Sequence, residues 1–194
     1  MNDKTFKRLE AVGGAVVFAI ASFLHFFYNL SGGSVLGALL GSVNESIWEH
    51  LKIFSIGYML WAVTELLWAK PPLKAFVWAK AVGLYSLCLS IACFFYIYTT
   101  LLGTSSVVLN LTSSLAFSFL AHLISYKLTL SERNKGQFFL TGTMMLFLIF
   151  IMILSFTYFP PEAKLFLDPV TQTYGIPDPS FDEGAVALDV LYEL

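Results

Sequence analysis

Ser42-Val43-Asn44-Glu45-Ser46-Ile47-Trp48-Glu49-His50-Leu51-Lys52 is a polar island in an apolar chain. Its eleven residues hold two of the thirteen acids and one of the three histidines. On its C-terminal side, residues 53–68 are apolar except for Ser55, Thr64 and Glu65, and Pro71-Pro72 ends the run. On its N-terminal side, residues 31–41 read Ser-Gly-Gly-Ser-Val-Leu-Gly-Ala-Leu-Leu-Gly. At about 1.5 Å per residue that segment reaches only some 16 Å, about half the hydrocarbon thickness of a bilayer. Whether it counts as a crossing decides the topology. Read as too short, it leaves five spans: residues 11–30, a helix from Ser42 to about Ala69, then 79–102, 105–127 and 137–158. The fold class is therefore all-α, a membrane bundle with one extra short helix.

Composition agrees. The chain is 57% hydrophobic and 12% charged, against roughly 25% charged in an ordinary soluble domain. So much apolar surface needs lipid. The net charge of −2 argues against a nucleic-acid partner. Cys88 and Cys93 fall in one apolar run and read as reduced thiols. The basic start, Lys4, Lys7 and Arg8, is followed by an apolar run with no small-x-small cleavage site, so the first span is expected to be retained.

With the N-terminus inside, nine of the eleven lysines and arginines fall inside or at the inner boundary, leaving only Lys52 and Lys164 outside. A sixth span would collapse that bias. The expectation is a multi-pass plasma-membrane protein with a cytoplasmic N-terminus. Residues 1–158 form the membrane domain and 159–194 an extracytoplasmic tail, mostly irregular and acidic. Within the tail, 165–175 reads as extended and folded over the membrane face. The chain beyond Pro177 reads as mobile, with a short helix at 184–193. Gly33, Gly37 and Gly41 recur every fourth residue, the spacing of a close-packed helix face, re-entrant or interfacial. That face is a candidate surface for a second copy or another membrane partner.

Helical rise puts Trp48, Glu49 and His50 about 28 Å above the inner end of their helix, and His25 about 21 Å above the inner end of the first span. The first span and this helix can then enclose His25, Glu45, Glu49 and His50. Imidazole and carboxylate are ordinary ligands for zinc or a similar divalent cation. The ligand set is read as His25, Glu49 and His50, with Glu45 and Glu49 as the acid–base pair of a membrane hydrolase acting on a polar lipid headgroup. In the enzymatic form the metal activates water and the remaining glutamate moves the proton. A purely structural reading stands beside it: Ser42-x-x-Glu45 as a capping box, Glu49 paired with Lys52, and Trp48 in an interfacial aromatic belt. Glu65 and His122 lie at similar depth near the inner face. They are either a buried hydrogen-bonded pair or part of a proton or ion pathway, which makes a small transporter the alternative function. A non-catalytic membrane scaffold is the third.

The Ser42–Lys52 run resembles the marker of a family of small bacterial multi-spanning membrane proteins of unknown function. Phe23-Leu24-His25-Phe26-Phe27-Tyr28 and Asp168-Pro169-Val170-Thr171 are similar to other segments of that family. The resemblance covers most of the chain and implies a bacterial plasma-membrane protein, with no activity attached. Intramembrane zinc hydrolases resembling alkaline ceramidases carry a His-x-x-x-His pair that this chain lacks.

Overall fold

A computed structural model describes residues 2–134 and 136–176. Six helices follow in order: α1 Asp3–Leu30, α2 Val35–Leu40, α3 Ile47–Ala69, α4 Leu73–Leu102, α5 Val107–Thr129 and α6 Phe139–Tyr158. All but α2 are long and apolar enough to cross a bilayer. The fold is an all-α bundle of five membrane-spanning helices. Among the described residues extended pairing is limited to one bridge between Leu167 and Tyr174.

The distribution of polarity is the reverse of a soluble domain's. Leu60, Val63 and Leu67 on α3, Val107 and Leu111 on α5, and Leu140 and Phe147 on α6 all point outward. Glu10, Glu49, Lys52, Glu65, Lys80 and His122 are buried. An apolar exterior around a polar, paired interior is what a lipid solvent selects. α1 packs against α3 and α5, and α4 packs against α5, α6 and α3.

Two helices begin earlier than hydropathy suggests. α1 starts at Asp3, capped by Asn2, whose side chain accepts from the Thr5 N–H at 3.2 Å. α4 starts at Leu73, directly after Pro72. Charged residues in these first turns depress mean hydropathy, yet Glu10 and Lys80 are paired inside the bundle. α5 and α6 begin at Val107 and Phe139, two residues later than expected for each.

α3 also begins later, at Ile47 instead of Ser42. The expected capping box does not form; the cap is displaced by one helical turn to Ser46, which accepts from the Glu49 N–H at 3.4 Å, while the Glu49 side chain goes to Val43. Residues 42–46 form a loop closed by its own side chains. Ser42 Oγ donates to Asn44 O at 2.7 Å, and the Ser46 N–H donates to Asn44 Oδ1 at 2.9 Å.

The glycine row is not one helical face. Gly33 lies in the turn before α2, with φ +72°, a left-handed conformation that glycine adopts without steric cost. Gly41 ends α2, and a Cβ there would stand 2.8 Å from Tyr28 N and 3.0 Å from Leu24 O on α1. Gly37 and Gly41 are buried within the chain, while Gly33 is exposed.

After α6 the chain folds back over the 42–46 loop. The Trp48 N–H, in the first turn of α3 and so without a helical partner, donates to Leu165 O at 2.9 Å. Asn44 Nδ2 donates to Gly175 O at 2.8 Å. The Trp48 ring lies 5.3 Å from that of Phe156 and 5.2 Å from that of Phe166. The segment expected to be extended is instead a tight reversal. Asp168, buried, accepts from the Val170 N–H at 2.9 Å and from Thr171 Oγ1 at 2.7 Å. The helix expected at 184–193 lies outside the described residues.

Candidate cation site and a second buried cluster

Because α3 begins at Ile47, Glu45 sits in the loop and is free to turn toward α1. Its two oxygens face two imidazoles. His25 Nε2 is 3.5 Å from Oε1 and His50 Nε2 is 3.7 Å from Oε2. The two rings are 5.2 Å apart. One ligand atom from each residue lies within 4.8 Å of the others, a spacing that can hold a metal ion. The Glu45 side chain is 48% exposed, so the cluster is open on one side.

His50 Nδ1 is 2.9 Å from Ser46 O. A carbonyl oxygen only accepts, so the proton of a neutral ring is on Nδ1 and the Nε2 lone pair faces the carboxylate. A backbone carbonyl fixing one ring nitrogen so that the other can bind is the usual support for a metal-binding histidine. His25 Nδ1 has no hydrogen-bond partner.

The hydrogen bond from His25 is the main influence that holds the Glu45 carboxyl below the usual carboxylate range. A depressed folded-state pKa means a contribution present above the ordinary carboxylate pKa and lost as pH falls through the lowered value. In metal-free protein, the Tm advantage of wild type over Glu45→Gln is therefore present at neutral pH. It disappears on acidification below the ordinary carboxylate range. An advantage independent of pH would refute the anchoring role of the Glu45 charge.

Glu49, expected among the ligands and as an acid–base partner, faces the other way. Its Oε2 is 2.6 Å from Lys52 Nζ and accepts from the Val43 N–H at 2.8 Å. The displaced helix start is the cause: Glu49 is in the first turn and reaches back over the loop that Glu45 occupies. Lys52 Nζ also donates to Ala38 O at 2.9 Å and to Thr157 Oγ1 at 3.4 Å. This buried pair ties α2, α3 and α6 together.

Toward the opposite end of the bundle, Glu65 and His122 do share a depth, but they are not hydrogen-bonded to each other. Glu65 pairs with Lys80, and Lys80 Nζ is 3.1 Å from Glu10 Oε1. Ser125 Oγ donates to the same Glu10 oxygen at 2.8 Å. The His122 ring lies 4.9 Å from the Tyr58 ring, tilted by 57°, and Lys80 Nζ lies 5.1 Å from the centre of the Tyr58 ring. A Cβ at Gly13 would collide with the His122 imidazole, so the glycine makes its space. Glu10 and Lys80 are the members that sequence reasoning missed. Both lie in the first turns of their helices, where they read as boundary charges.

A family model described as "Family of unknown function (DUF6512)" matches residues 2–176. The chain belongs to this family. No curated protein and no solved structure matches it. The DUF6512 match includes both polar clusters and the folded-back segment after α6, so all three lie within the family's own extent.

Proposed function

We propose that this DUF6512 protein binds a divalent cation of the zinc class at one membrane face, through His25, Glu45 and His50. One observation carries the reading: the Nδ1–H of His50 is committed to Ser46 O, which aims the Nε2 lone pair at the Glu45 carboxylate. Two acceptors facing each other call for a positive charge between them, and a second imidazole converges on the same carboxylate. Two histidines, one glutamate and an open side correspond to a zinc site that keeps a position for water or an incoming oxygen. The open side lies at the headgroup level, where a phosphate oxygen can complete the shell. Glu49 is occupied by Lys52 and is not placed to relay a proton, so the geometry favours cation binding over hydrolysis.

The distribution of basic residues supports an outward-facing site. With Lys52 and Lys80 inside the bundle, seven of the remaining cations among the described residues (Lys4, Lys7, Arg8, Lys70, Lys74, Lys127 and Arg133) lie toward the end that carries the N-terminus, and Lys164 alone lies toward the other. On that reading the N-terminus is cytoplasmic and the cation site faces outward.

Metal analysis of protein purified from zinc-replete cells provides the test. Wild type is expected to carry about one zinc per chain, as a three-ligand site would. His25→Ala, Glu45→Gln and His50→Ala are each expected to lose it while eluting as folded protein. Metal-free wild type that also fails to take up added zinc, cobalt or manganese would end the proposal.

A further inference from the structure

The buried cluster at the other end of the bundle has an imbalance that its own residues do not correct. Glu10, Glu65 and Lys80 bring two carboxylates and one ammonium into a region where all three are nearly inaccessible. Unbalanced charge is costly in such a setting. Four polar atoms there lack hydrogen-bond partners: Glu10 Oε2, Glu65 Oε1, His122 Nε2 and Tyr58 Oη. His122 Nδ1 is 2.8 Å from Ser118 O, so in the neutral ring the proton sits on Nδ1 and Nε2 presents a lone pair. His122 is 1% exposed. Its ligand atom and one oxygen each from Glu10 and Glu65 lie within 4.8 Å of one another.

Lys80 already contacts both acids, from α4, so the place of a metal cation is taken. A divalent ion beside that ammonium would overshoot the charge; one proton balances it. The groups facing this space come from every helix around it: Glu10 on α1, Tyr58 and Glu65 on α3, Lys80 on α4, and His122 and Ser125 on α5. We propose that this cluster is an exchangeable proton site, in which one proton is held among Glu10, Glu65 and His122 and reaches them along α5.

The route is the inner face of that helix. Ser114, Ser118, His122, Ser125 and Thr129 are all buried and follow one another at intervals of four, four, three and four residues. That spacing places them on one helix face. They extend about 23 Å along the axis. Ser118 Oγ and Thr129 Oγ1 have no hydrogen-bond partner, and Ser125 Oγ is bonded to Glu10. Ser125 and Thr129 give a proton successive stations between His122 and the end of the bundle near Thr129, while Ser118 and Ser114 continue the same polar face on the far side of His122. The inference is independent of the cation site beside α2.

Infrared difference spectra and histidine nitrogen NMR in lipid vesicles, stepped from acid to alkaline pH, test it. Wild type is expected to show either a protonated-carboxyl band sensitive to deuterium or a His122 imidazolium signal. Glu65→Gln removes the surplus negative charge, so it should fold and lose that signal entirely; Glu10→Gln is the second variant and should do the same. Thr129→Val should keep the signal and slow its deuterium exchange several-fold. Absence of both signals in wild type overturns the proposal. So does an unchanged signal in the folded glutamine variants. Equal exchange in Thr129→Val overturns the α5 route.

Discussion

Lys80→Met is expected to yield almost no folded protein, and Glu10→Gln/Lys80→Met/Glu65→Gln is expected to restore it. Lys80 is the positive partner of two buried carboxylates on two other helices. Removing it leaves both acids facing each other and the Tyr58 ring without a counter-charge. Breaking a buried ion pair from one side costs roughly 3–5 kcal/mol, because the remaining charge is stranded. Here the two acids, even with one proton between them, keep a negative charge that no ammonium offsets, against a total stability that is typically about 5–15 kcal/mol for a folded domain. Making both acids neutral removes the stranded charge and keeps the shapes. The triple variant is thus expected to approach wild-type thermal stability in detergent, while Lys80→Met aggregates. The check is the monodisperse yield on gel filtration and the Tm of whatever elutes. A Lys80→Met variant as stable as wild type would show that the three groups are not paired in the native bundle.

The spans were legible in the sequence because a run of about twenty apolar residues has few alternatives to a membrane helix. Their first turns were less legible. A charged residue two turns into a helix looks like a boundary marker until its partner is known, and the partner of Lys80 lies on α1 and α3. Glu65 and His122 could be placed at one depth from counting alone, yet counting could not show that Lys80 joins Glu65 to Glu10. At the other end, a shift of one turn in the start of α3 changes everything. Starting at Ser42 puts Glu45 and Glu49 on one helix face; starting at Ser46 sends Glu45 into a loop toward His25 and turns Glu49 to Val43 and Lys52. Both Ser42-x-x-Glu45 and Ser46-x-x-Glu49 satisfy the capping pattern, so local sequence alone does not choose. The choice is made by the chain after α6, whose Leu165 carbonyl takes the Trp48 N–H and whose Phe166 ring covers Trp48. Contacts across more than a hundred residues leave no periodic signature.

Lys52→Met is expected to lower stability by roughly 3–5 kcal/mol, and Glu49→Gln/Lys52→Met to regain most of it. Lys52 is 1% exposed and reaches Glu49, Ala38 and Thr157 at once. Without its ammonium, Glu49 keeps a charge in the interior and the Ala38 carbonyl at α2 loses its donor. In the double variant the interior charge is gone, and a glutamine oxygen at position 49 still accepts from the Val43 N–H. A double-mutant cycle on denaturation midpoints should therefore give a large coupling between the two positions. Zinc content decides what the pair is for. If Glu49 only braces the loop, the double variant retains the metal that His25, Glu45 and His50 hold, and the Lys52→Met single loses it in proportion to its loss of fold. If the double variant is well folded but empty of zinc while Glu45→Gln still binds it, Glu49 belongs among the ligands and the site must rearrange from the geometry seen here.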